Sequence, residues 1–280
     1  MEKIGIVDAG GGFRGVYACG ALDRCLEEGV SFDVCIGVSA GSANLSSFIA
    51  GQMGRNYRFY THYGMRKKYA SLGNYVRHGS FLGLDYIYST LSNADGEDPL
   101  DYPALKASPA DFIVVAADAR TGDVRYFTKE DMHQDDYDIL KASCAIPGVC
   151  RPYEIDGIPY FDGALGDPVP VERAFAEGCD KVVVLLTKPA NVARTPGQDP
   201  TFARMVRRKY PHAATALLNR ADRYNEGVRI AREYERVGRA LIVSPDDTCG
   251  VSTLTREKDR LDALYAKGYG DGEQIVSFLS

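Results

Sequence analysis

Three clusters in the chain carry residue types that can do chemistry. Gly37-Val38-Ser39-Ala40-Gly41 is a G-x-S-x-G run. A serine on a sharp strand-to-helix turn has its hydroxyl thrust out at the top of a sheet, where it can serve as a nucleophile. The flanking glycines let strand and helix pack around that turn. The bland alternative is a tight β–α turn with a capping serine. Asp162-Gly163-Ala164 follows the apolar run "IPYF" and offers a carboxylate at a strand end. Taken alone, such a triplet is more often a plain turn. Near the N-terminus, Gly10, Gly11, Gly12, Arg14 and Gly15 form G-G-G-x-R-G directly after the first apolar run.

A nucleophilic serine needs a base. The chain has four histidines, His62, His78, His133 and His212. None lies late in the chain after a strand and an acid, where a Ser…Asp…His order would put it. Each reads as a surface or packing residue, so a base for Ser39 would be a carboxylate, and Asp162 is the candidate.

The glycine cluster has two readings. Gly10, Gly12 and Gly15 spell G-x-G-x-x-G between a strand and a helix, the dinucleotide fingerprint. That reading wants an acid at the end of the second strand to hold a ribose. Ser39 occupies that place, and Asp33 stands at the strand's start. The other reading is an oxyanion hole: the first strand should lie beside the second, so adjacent glycine amides would rim the same cleft as Ser39. The oxyanion reading fits better.

The elements that must position these residues are legible in outline. "KIGIVD", "DVCIGVS", "DFIVVAADA" and "DKVVVLLT" read as buried strands, and "ALIVSP" as a last one. Residues 14–29 and 40–52 read as helices after the first two. Strand, glycine loop, helix, strand, turn, helix is the opening of a doubly wound parallel sheet. "DVRYFT" should pair nearby, and "YEIDGIPYFDGA" reads as a hairpin turning at Asp156-Gly157. "YDILKASCAIPGV" is a short helix running into a proline-stopped loop. The tyrosine-rich stretch 55–110 predicts helices and loops forming a lid or wall over a cleft. Two long helices are expected over 190–236, with a helix closing the chain.

Composition bounds the rest. The chain has 280 residues, 45% hydrophobic, with a net charge of −5, so it is no electrostatic trap for nucleic acid. Its seven cysteines are scattered without a C-x-x-C pair, which indicates neither a disulfide framework nor a zinc site. No basic stretch followed by an apolar run marks a leader, and no apolar run reaches the roughly 18 residues of a spanning helix. A cytoplasmic protein, with neither metal nor cofactor, is the expectation. "RMVRRKYPH" (204–212) is a local basic cluster that suits transient contact with an anionic membrane surface; a solvated basic face is the commoner explanation. "FLGLDYIYSTL" (81–91) has the apolar density to line an acyl groove or simply to pack on the core.

G-G-G-x-R-G, then G-x-S-x-G about 25 residues later, then D-G-A far downstream, together resemble the patatin-like phospholipase family. "KASCAIPGV" adds a fourth match, the family's Ala-Ser-x-Ala-x-Pro segment ahead of its aspartate. The resemblance spans about residues 4–187 and implies a three-layer α/β/α fold with a mainly parallel central sheet. It also implies a Ser–Asp dyad without histidine: Ser39 as nucleophile, Asp162 as base, and Gly11 and Gly12, with the Ala40 amide, as oxyanion donors. Arg14 would anchor the glycine loop or meet an anionic group. The implied activity is hydrolysis of lipid or other acyl esters through an acyl-enzyme, on one domain covering 1–280 with a helical C-terminal part over 188–280. Two rival classes stand beside it: a nucleotide-binding module, and a non-catalytic lipid-binding protein on the same fold.

Overall fold

The computed structural model describes residues 2–280. Its strands are β1 (Ile4–Asp8), β2 (Val34–Val38), β3 (Asp111–Asp118), β4 (Val124–Thr128), β5 (Tyr153–Ile155), β6 (Ile158–Asp162), β7 (Lys181–Leu185) and β8 (Ala240–Val243). β3, β2, β1, β7 and β8 lie side by side and parallel. Near-continuous Val and Ile runs suit strands covered on both faces. Side chains alternate across the sheet. Ile6, Cys35, Val114 and Val183 enter one core with Tyr17, Leu22, Leu45 and Leu261 from helices on that face. Val7, Ile36, Val115 and Val184 enter the other core with Val171, Ala174, Val228 and Ala231. The result is three layers, α/β/α, with a mainly parallel sheet, as the family resemblance implies.

The antiparallel strands decide where the site forms. Ile113–Val115 pair with both β2 and β4, so those strands occupy opposite edges of β3. Ala116 and Ala117 pair with both β4 and β6, so β6 stands on the β2 edge. β2 leaves that edge at Val38, paired with Val115; β6 arrives from the other direction at Asp162, paired with Ala116. The two strands meet end to end along β3, one residue apart. The hairpin expected over this stretch is present, and Asp162 closes its second strand. β6 runs antiparallel because the hairpin turn at Asp156 and Gly157, both at positive φ (50° and 73°), reverses the chain just before it.

The glycine loop winds one tight 3₁₀ turn, Gly12–Gly15, before the helix Val16–Glu27. The tyrosine-rich region forms the short helices Arg55–Thr61, Leu72–His78 and Tyr102–Ala107, with one π-helical turn at Tyr86–Thr90. Residues 190–236 hold three helices, Asp199–Val206, Pro211–Leu218 and Arg220–Arg236, rather than two long ones. Proline sits at the start of the second, where it suits a first turn and cannot continue a preceding helix. In the basic segment 204–212, Arg204, Arg207, Arg208 and Lys209 are exposed, whereas Tyr210 is buried edge-on against Phe161. No helix among the described residues is long and apolar enough to cross a membrane.

Candidate active site

Ser39 follows β2 directly and caps the start of the helix Ala40–Ile49. Its backbone has φ 55° and ψ −129°, a strained conformation for a residue with a Cβ, held by its surroundings. The flanking glycines are sterically required. A Cβ on Gly37 would lie 2.3 Å from Ser42 Cα, and one on Gly41 would lie 2.2 Å from the Asp8 carbonyl oxygen. The Ser39 amide donates to Ser143 Oγ at 2.8 Å, and the Ser143 hydroxyl donates to the Val115 carbonyl at 2.7 Å. One buried side chain thus pins the turn to the strand beside it.

Asp162 is 2% exposed and Ser39 7%. Asp162 Oδ1 accepts from the Ala164 amide at 2.9 Å, and the Asp162 amide donates to the Ala145 carbonyl at 3.0 Å. Gly163 makes that turn fit, since a Cβ there would meet the Val115 carbonyl oxygen at 2.2 Å. Burial raises the pKa of the Asp162 carboxyl above the ordinary carboxylate range. The Ser39 hydroxyl, the Ala164 amide and the charges of Arg220 and Arg194 oppose that shift. The Ser39 hydroxyl is near enough to favour the carboxylate, though the contact falls short of full hydrogen-bond geometry. Contacts of this kind are often loose in a free enzyme and tighten with substrate.

The glycine loop abuts the Ser39 turn. A Cβ on Gly10 would collide with the Val38 carbonyl and approach the Ala40 and Gly41 amides at 3.2 and 3.1 Å. Gly10, Gly11 and Gly12 all have positive φ, 64°, 136° and 62°. The Gly10 amide donates to Asp8 Oδ1 at 2.9 Å, and the Gly10 carbonyl accepts from Thr187 Oγ1 at 2.5 Å. Among the described residues, no acceptor engages the amides of Gly11 or Gly12. Asp8, fully buried, also accepts from Asn44 Nδ2 at 2.9 Å, and Asn44 donates onward to the Gly15 carbonyl at 3.1 Å. Burial outweighs those bonds and pushes the Asp8 carboxyl up to about 6. The Phe13 amide donates to the Thr253 carbonyl, and Arg14 Nη1 to Thr253 Oγ1 at 3.0 Å, so the C-terminal region clamps the loop.

Two cavities share Ser39. One is apolar, walled by Phe13, Phe59, Leu84, Ile87, Tyr88 and Ile146 among others. The segment 81–91 therefore does both things weighed for it: it packs on the core and it lines a groove. Arg55 also reaches this wall, but its guanidinium is spent on Ser47, Ser92 and the Asp98 carbonyl. Cys144, pushed up to about 12 by burial and bonded to the Tyr88 hydroxyl, is an inert thiol there. The second cavity is polar and holds Gly10, Gly11, Gly12, Arg14 and Asp162 beside Ser39. None of the four histidines lines either cavity.

The sequence motifs are thus gathered in one place. Sequence reasoning gave no role to Ser143, although it lies in a quoted motif, and did not find Asp8, Asn44, Thr187 or Thr253. Asp8 carried a signal, an acid closing a strand just before the glycines; Thr253 carried none.

Known proteins resemble this chain in sequence and in fold. A family model described as patatin-like phospholipase matches residues 6–175, and one for a domain of unknown function matches 210–279. The chain is 29% identical over 239 residues to the uncharacterized protein YjjU of Escherichia coli, across 83% of this chain and 64% of that one. It is 27% identical over 193 residues to the lysophospholipase NTE1 of Yarrowia lipolytica, across 65% of this chain but 12% of that much longer protein. The crystal structure of VipD from Legionella pneumophila superposes with a TM-score of 0.55 at 16% identity, over 99% of this chain and 67% of that one, and shares the fold. With more than half its length matched by one family model, and that family's motifs converging on a single cleft, the chain belongs to the patatin-like phospholipase family.

Proposed function

We propose that the protein is a serine acyl hydrolase acting on carboxylic esters of lipids, and that residues 1–280 work as one domain. Ser39 attacks the ester carbonyl while Asp162 takes its proton. The tetrahedral oxygen sits against the amides of Gly11 and Gly12, with Ala40 as a third donor. The C–O bond to the alcohol breaks, the alcohol leaves with the proton from Asp162, and Ser39 carries the acyl group. Water, deprotonated by Asp162, then attacks the acyl-enzyme, and the carboxylic acid and free Ser39 are released.

The observation that carries this reading is the meeting of β2 and β6 on one edge of β3, which brings Ser39 and Asp162 together at the border of two cavities. An apolar cavity on one side of the serine suits an acyl chain, and a polar one suits the alcohol. A carboxylate is a weak base for a serine hydroxyl, since their acidities lie far apart. Burial narrows that gap by raising Asp162. The free glycine amides support the other half of the task, stabilising charge that develops in the transition state. A nucleotide cradle is less well supported, because Thr187 and Thr253 already occupy the loop's flanks.

The test is hydrolysis of p-nitrophenyl esters and of lipid esters by wild type, Ser39→Ala and Asp162→Asn. Loss of a general base lowers turnover by about 10²–10⁴. Asp162→Asn that is folded and fully active would refute the dyad. A membrane visit to collect lipid is part of the same reading, and the exposed arginines at 204–208 would serve it.

A further inference from the structure

The polar cavity beside Ser39 is lined by four cations, Arg14, Lys188, Arg194 and Arg220. Two carboxylates, Asp162 and Asp199, also line it, which leaves two positive charges in excess. Asp199 is committed: it pairs with Arg220 through two oxygens and lies 3.6 Å from Arg194. Asp162 accepts from the Ala164 amide and faces Ser39 rather than the cations. Lys188, half-buried, has no ion pair or hydrogen bond among the described residues, and Arg14 Nε is buried without a partner. Like charges this close destabilise one another, and burial adds to the penalty. Arg194 is pushed down to about 10, first by burial and then by Arg220. Lys188 is lowered by burial and by Arg14, Arg194 and Arg220. A fold does not keep unpaired, partly buried cations together beside a reactive serine without something to neutralise them.

We propose that Lys188, Arg194 and Arg220, with Arg14, form a cradle for a phosphate carried by the alcohol half of the ester. This inference rests on the reading of Ser39 as nucleophile, which puts the acyl chain in the apolar cavity and the alcohol in this one. The charge excess matches a phosphomonoester, about −1.5 to −2 near neutral pH. A zwitterionic headgroup fits less well. Its quaternary ammonium would face the remaining cations, and the Tyr224 ring that could receive it is already covered by Arg194, 5.7 Å from the centroid. Apart from Arg14, the cradle is built outside the motif-bearing region. Lys188 and Arg194 fall between the two family-matched segments and Arg220 lies in the second. The preferred substrate is then a monoacyl or diacyl glycerol phosphate rather than a neutral glyceride.

Two measurements test it. Calorimetric titration of the wild-type chain with glycerol 3-phosphate needs no turnover. Binding is expected, weakened at least tenfold in Lys188→Gln and in Arg194→Gln; Arg220 is left intact because it holds buried Asp199. No binding at millimolar ligand, or binding by both variants as tight as by wild type, overturns the cradle. In parallel, kcat/KM is compared for 1-acylglycerol 3-phosphate and the monoacylglycerol of the same chain. A ratio of at least ten is expected, collapsing in Lys188→Gln. Glycerol 3-phosphate and inorganic phosphate binding alike, with an ester ratio of one, would make free phosphate the ligand and overturn the headgroup assignment. Binding that depends on Lys188 without cleavage of either ester would instead sink the hydrolase reading and leave the cradle standing.

Discussion

The Ser39 amide donates to Ser143 Oγ at 2.8 Å, and the same hydroxyl donates to the Val115 carbonyl at 2.7 Å. Ser143 is fully buried, so no water can replace it. Ser143→Ala orphans a donor and an acceptor, each worth about 1–3 kcal/mol of stability when left unpaired. It also frees the strained turn to relax, and small misplacements of a nucleophile can cost about 10² in rate. Urea unfolding together with esterase kinetics checks both. A variant as stable and as active as wild type would mean that the turn holds its shape without the staple.

Asp8 links pH to stability. Its folded value of about 6 lies above the unfolded 3.8, so the folded chain binds the proton more tightly. Its contribution is fully present below the unfolded value and is lost as pH rises through about 6. Asp8→Asn cannot ionise. The melting temperature of Asp8→Asn relative to wild type should therefore rise between pH 4 and 7, whatever the absolute cost of the changed hydrogen bonds. A difference that is flat with pH, or of opposite slope, contradicts the assignment.

The apolar cavity predicts a chain-length effect. Ile87 is 4% exposed and lines the cavity from the π-helical turn. Ile87→Trp adds bulk where the acyl chain would lie. The ratio of kcat/KM for a decanoate over a butyrate ester should fall at least tenfold. An unchanged ratio would put the chain elsewhere.

How much of this was legible in the sequence depends on how local each feature is. Ser39 and its glycines could be read because the turn is built from five consecutive residues, and the buried parallel strands from their Val and Ile runs. Asp162 was found by residue type and motif order, but not the way it reaches Ser39: end-to-end meeting of β2 and β6 is a pairing across some 120 residues that no local pattern encodes. The break at Asn219, which makes three helices of the expected two, was missed because the apolar spacing on either side of it reads as helix. Thr253, Lys188, Arg194 and Arg220 come from segments without motif, and only the fold brings them to the serine.

The most direct test of the account is covalent labelling of the intact protein with a fluorophosphonate, followed by mass spectrometry of the modified peptide. The account predicts one adduct, on Ser39, absent in Ser39→Ala and much slower to form in Asp162→Asn. Folded wild-type protein that takes up no label, or takes it up at another residue, would contradict the claim that Ser39 is an activated nucleophile.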